Sequence, residues 1–168
     1  MNIKSRSIVV PAFVALAVVL GSVSGSAPRA FAYDEASTSA INVEGSNVIL
    51  HGFDPIAYFT VGKPVKGKNA YSAEFEGATY HFASAENMKA FQADPAKYAP
   101  AFGGFCAMGV ALGKKLDVDP SVFEVVDGKL YLNVNADVKK KWVQDIPGNI
   151  KTANETWPTI ENKAPKDL

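Results

Sequence analysis

Tyr71-Ser72-Ala73-Glu74-Phe75-Glu76-Gly77-Ala78-Thr79-Tyr80-His81-Phe82-Ala83-Ser84-Ala85-Glu86-Asn87 is the stretch that decides the fold. Residues 71–75 and 79–82 flank Glu76-Gly77, the pattern of two strands joined by a tight turn. Ser84 then offers a helix cap, with Ala85, Met88, Phe91 and Gln92 at helical spacing behind it. The same order returns 51 residues later. Glu76-Gly77-x-x-Tyr80 falls on Asp127-Gly128-x-x-Tyr131, and Ser84-Ala85-Glu86 falls on Asn135-Ala136-Asp137. Lys89 meets Lys140, Phe91 meets Trp142, and Asp94 meets Asp145. A lone hairpin with one helix cannot bury both of its apolar faces. Two such units can share an interior. The expected fold is therefore α+β: two β-hairpin–helix units packed around one core with approximate internal two-fold symmetry.

The flanks add short elements. Val48-Ile49-Leu50 reads as a brief strand, and Asp54-Pro55 as a helix start, with a carboxylate cap and a proline that the first helical position tolerates. Gly62 and Pro64 stop that helix. Asp94-Pro95 starts another short one. Pro147 opens a last helix carrying Ile150, Ala153 and Trp157, and Pro158 is expected to end it.

The N-terminus reads as a targeting segment. Lys4 and Arg6 precede an uncharged apolar run over residues 8–20, and Ala30-Phe31-Ala32 offers an A-x-A cleavage site. The run is too short for a spanning helix, which needs about 20 residues. Residues 1–32 are therefore expected to be a signal peptide, touching a membrane only before cleavage. The mature chain is expected in the periplasm or secreted. Losing Lys4, Arg6 and Arg29 leaves 14 basic against 17 acidic residues, a balance that argues against a nucleic-acid partner. Residues 33–47, rich in Ser, Ala, Thr and acids, are read as a flexible lead-in with little core, and residues 161–168 as a charged, frayed tail.

Residues 73–87, with Phe91, Asp94-Pro95 and Lys97-Tyr98 behind them, resemble the YHS domain. Gly52-Phe53-Asp54-Pro55-Ile56-Ala57-Tyr58-Phe59 and Gly103-Gly104-Phe105-Cys106-Ala107-Met108-Gly109-Val110 look like the flanks of exported bacterial members. On this resemblance residues 48–160 would be one YHS-type domain. YHS-like domains occur beside copper-transporting ATPases and in some multicomponent oxygenases, so the resemblance implies a link to metals and leaves the activity open. Metal-associated members carry one cysteine just after the second strand and another four residues on. The matching positions here are Ala83 and Asn87, neither a soft-metal ligand.

Soft-ligand chemistry must then come from Cys106, the single cysteine. In an extended segment Cys106 and Met108 would share a face, a thiolate–thioether pair suited to Cu(I). His81, His51 or Met88 could complete that site. Cys106, Met108, His81 and His51 are thus the candidate metal ligands and copper the candidate cofactor. Against this, Cys106 and Met108 among Phe102, Phe105 and Val110 also read as core fillers. A third use is nucleophilic or redox, with His81 or His51 as base and Asp54 as orienting acid. Gly104 to Gly109 has phosphate-loop spacing, but Val110-Ala111 stand where Lys and Ser/Thr must follow. The functional expectation is an exported, non-enzymatic binding protein for a soft metal, a small ligand or a partner protein. A thiol-dependent enzyme and a structural envelope protein are the alternatives.

Overall fold

The computed structural model describes residues 33–168, so the signal segment read over residues 1–32 lies outside the described residues. The order of elements is α1 (Pro55–Thr60), β1 (Lys68–Phe75), β2 (Ala78–Phe82), α2 (Ala85–Ala93), α3 (Pro95–Tyr98), α4 (Ala107–Ala111), β3 (Phe123–Val126), β4 (Lys129–Leu132), α5 (Ala136–Trp142) and α6 (Ile146–Ile160). The fold is α+β, with β1–β2 and β3–β4 each a two-stranded antiparallel sheet. Among the described residues no helix is long and apolar enough to cross a membrane.

Both hairpins close through a residue pair at positive φ: Glu76 and Gly77 at 49° and 79°, Asp127 and Gly128 at 50° and 73°. Two consecutive left-handed residues match the right-handed twist of the paired strands, which is why an acid–glycine pair occupies each turn. The turns set the registers, Phe75 opposite Ala78 and Val126 opposite Lys129. The helices that follow are capped alike. Ser84 accepts from Asn87 N–H and Asn135 from Val138 N–H. Asp94 accepts from Lys97 N–H and Asp145 from Gly148 N–H, both caps at φ near −150° with ψ of 74°.

A second repeat lies upstream of the first, at an offset of 52. Leu50, His51 and Gly52 have φ of 57°, 50° and 72°; Phe102, Gly103 and Gly104 have 53°, 59° and 82°. Each left-handed turn leads through an extended phenylalanine, Phe53 or Phe105, into a helix whose cap is Asp54 or Cys106. Bulky residues seldom adopt positive φ. Leu50 and Phe102 do so here because both are buried in apolar clusters that hold them.

The expected single core is in fact two clusters. Ile49, Ile56, Tyr80, Phe82 and Phe91 build the first, and Phe102, Phe105, Val110, Trp142 and Ile160 the second. Strand β4 divides them: Leu130 and Leu132 join the first and Tyr131 the second, as alternation across a strand dictates. Met108 packs against both.

Four local expectations are corrected. Pro158 does not end α6, which runs through it to Ile160. The connector is not extended at Cys106–Met108; it coils into α4. The lead-in is not idle: Ile41 and Val43 pack on the first cluster, and Asn42 N–H donates to the Gly103 carbonyl at 2.8 Å. Lys115, 1% exposed, fastens both ends of the described chain. Its ammonium donates to the carbonyls of Ser39, Glu161 and Lys163 at 2.7, 2.8 and 2.9 Å. All three of its protons are thereby used, which is what allows a lysine to be buried. The C-terminal residues follow suit: Ala164 is buried and Leu168 packs on the second cluster.

Candidate functional site

Cys106 is fully buried, 0% exposed, and caps α4. Its sulfur accepts from Gly109 N–H at 3.3 Å and lies 3.7 Å from Asn133 Oδ1. Asn133, also fully buried, receives Met108 N–H on the same oxygen at 3.3 Å, and its Nδ2 has no partner among the described residues. Burial pushes the thiol pKa up, against the pull of the Gly109, Val134 and Met108 backbone N–H groups. The group is therefore a neutral thiol at neutral pH, and no imidazole is among its partners. Nucleophilic chemistry needs the thiolate and an adjacent base.

The helical connector separates the soft pair. Residues two apart on a helix point to nearly opposite sides, so Met108 does not stand beside Cys106 as it would on a strand. The histidines are engaged elsewhere. His51 sits between two carboxylates: Nδ1 pairs with Glu44 and Nε2 with Asp117 Oδ1 at 3.0 Å. The Asp117 hydrogen bond raises its pKa; burial opposes this, and the charges of Asp117 and Glu44 add to it. Asp117 also accepts from Asn42 Nδ2 at 2.9 Å. Burial would raise the Asp117 pKa, but the bonds from His51, Asn42 and Val118 N–H outweigh it and hold the carboxyl low. His81, on β2, places Nδ1 against Gly52, and its pKa is lowered by burial and by Lys66. Among the described residues no group of three His, Cys, Asp or Glu side chains is arranged to hold a metal ion. Cys106, His51 and His81 keep separate sets of partners, and no hydrogen bond or ion pair joins them among the described residues.

One of the concave surfaces among the described residues lies at the seam between the two hairpin–helix units. A groove of ≈ 360 Å³ opens between Phe75 and Glu76 on one side and Lys129, Tyr131, Asn154 and Trp157 on the other. Phe102 and Tyr131 are nearly buried, while Phe75 and Trp157 remain half-exposed. The Trp157 ring packs on Phe102 and Phe105 at centroid distances of 5.9 and 6.0 Å. Lys129 crosses the seam to the Ala96 carbonyl at 3.0 Å.

The family model of the YHS domain matches residues 56–102. The chain carries a YHS domain. Neither the curated proteins nor the solved structures gave a match. The matched span runs from α1 through α3 and ends at Phe102, so the YHS domain supplies one wall of the seam and the second unit the other.

Within the YHS domain, Ala83 and Asn87, the positions where the resemblance places thiols, meet at one carboxylate. Asp54 is 0% exposed. Its Oδ2 accepts from Ala83 N–H at 2.8 Å and from Asn87 Nδ2 at 2.6 Å, while Oδ1 caps α1 through Ile56 N–H at 2.9 Å. The space between the end of β2 and the first turn of α2 is thus filled by a satisfied carboxylate–amide network. The sequence offers Asp54 as a helix cap and as the orienting acid of a Cys106–histidine arrangement, and the structure gives it to the Ala83–Asn87 network. The seam groove has no local signal in the sequence, because its walls are far apart in the chain. The pairing of Asp54 with Cys106 had a faint signal, the recurrence of Gly-Phe at Gly52-Phe53 and Gly104-Phe105.

Proposed function

We propose that this is an exported, non-enzymatic YHS-domain protein that binds a small ligand in the groove between its two hairpin–helix units. One observation carries the reading: half-exposed Trp157 and Phe75 stand over a nearly buried floor of Phe102 and Tyr131, with a few polar groups at the rim. A concave site that sets aromatic faces beside polar groups is a common form of small-molecule pocket. The expected site thereby moves from Cys106, which is sealed, to the seam. Export rests on the basic, apolar and A-x-A features of residues 1–32 and places the mature protein in the periplasm or outside the cell. The two units are taken as copies related by an approximate two-fold; the recurring turn and cap geometries at offsets of 51 and 52 support this.

Native mass spectrometry of the protein recovered from its exported compartment tests the reading, with Trp157→Ala and Cys106→Ala beside it. The expected result is a retained small-molecule mass that Trp157→Ala loses and Cys106→Ala keeps. A copper mass lost only with Cys106→Ala would replace this reading with the metal one. Bare protein in every sample, with no saturable change in tryptophan fluorescence across a compound library, would end it.

A further inference from the structure

The seam groove does not stop at Trp157. A second groove of ≈ 540 Å³ shares Glu76, Gly103 and Trp157 with it and continues along the lead-in past Ser39 and Ile41 to Glu161. The two grooves adjoin at these shared residues and are taken together as one trough. The charged side chains lining it are Glu76, Glu161 and Lys129. Lys129 is engaged by the Ala96 carbonyl. Lys115 lies near Glu161, but its protons go to three backbone carbonyls. Neither Glu76 nor Glu161 makes an ion pair among the described residues. A partly exposed indole, the best of the aromatic faces for a cation, thus lies in a trough with two unpaired carboxylates and no uncommitted base.

We infer that the trough takes an organic cation, a small molecule carrying an ammonium or guanidinium group on an apolar body. The inference rests on the seam as ligand site and adds the chemical class. The charged head is drawn to the indole and to the Glu76 and Glu161 carboxylates. The apolar body lies on the Phe75–Phe102–Tyr131 side, away from Glu161. A neutral ligand of the same shape keeps the apolar contacts and loses the rest, a difference of about tenfold in affinity for a partly desolvated cation–π contact.

The test uses the full chain and two probes, benzylamine and benzyl alcohol, titrated at low salt while the Trp157 indole N–H is followed by NMR and assigned through Trp157→Phe. Benzylamine is expected to shift that signal saturably, at least about tenfold more tightly than benzyl alcohol. Glu76→Gln with Glu161→Gln is expected to abolish the preference while leaving the far-UV spectrum unchanged, since neither carboxylate makes an ion pair among the described residues. Equal affinity for the two probes would overturn the cation inference and leave the seam as an apolar site. No response to either would overturn the seam reading as well. A preference that survives the double substitution would overturn the assignment to these carboxylates.

Discussion

Asp54 and Cys106 occupy corresponding places, each capping a short helix after a left-handed turn, and they should differ sharply in what they hold. Asp54→Ala removes an acceptor that serves one buried and two part-buried donors at 2.6–2.9 Å. Loss of a helix cap costs about 1 kcal/mol. Each of the two other donors, left unsatisfied, costs about 1–3 kcal/mol. Relief of the buried charge offsets part of this. The expected net loss is about 3–5 kcal/mol, a large share of a typical stability of about 5–15 kcal/mol. Cys106→Ala removes a sulfur whose contacts are long, 3.3 and 3.7 Å, and leaves a small cavity, so its cost is expected at about 1–2 kcal/mol. With a urea m-value of about 2 kcal/mol/M, the midpoint should fall by about 1.5–2.5 M for Asp54→Ala and by less than about 1 M for Cys106→Ala. Urea unfolding followed by far-UV circular dichroism reads both. Adding Asn87→Ala closes a double-mutant cycle, with an expected Asp54–Asn87 coupling above about 1 kcal/mol. Equal midpoints for the two alanine variants, or no coupling, would refute the view that the carboxylate network, rather than the thiol, pins the first unit.

Two further outcomes follow from the clamps on the lead-in. The folded-state pKa of His51 is raised, so its contribution is fully present below the unfolded value of about 6.5 and is lost as pH rises through the raised one. That of Asp117 is lowered, so its contribution is present above its unfolded value of about 4 and is lost as pH falls through the lowered one. The stability gap between the native protein and His51→Asn should therefore be widest in mildly acidic solution, at about 1 kcal/mol, and narrow toward alkaline pH; a gap constant across melts from pH 5 to 9 would contradict the clamp. Lys115→Met keeps the apolar stem but strands three carbonyls, at an expected cost of about 2–4 kcal/mol. It should also speed proteolysis within residues 33–47, and unchanged cleavage there would show that the ammonium does not hold the lead-in.

The local elements were largely legible because their signals are local. Glu76-Gly77 and Asp127-Gly128 select the hairpin turn, and Ser84, Asn135, Asp94 and Asp145 each hold an acceptor three residues ahead of an orphan N–H. Cys106–Met108 was misread because apolar and small residues over so few positions carry no period that separates a short helix from a strand. Pro158 was misread because a proline late in a helix forfeits a single bond, while buried Ile160 and half-buried Trp157 keep the last turn packed.

The chain's own order of residues thus determined the α+β class, the two hairpin–helix units, the YHS segment and the candidate export signal, all written in neighbours a few positions apart. Only the tertiary structure decided the rest. It placed β4 between two clusters and sealed Cys106 under Asn133. It drew His51 to Glu44 and Asp117, and brought Phe75 to Trp157 across 82 positions of sequence to make a groove. Turns and caps depend on adjacent backbone angles, whereas burial and a ligand surface depend on which distant side chains exclude water from one another.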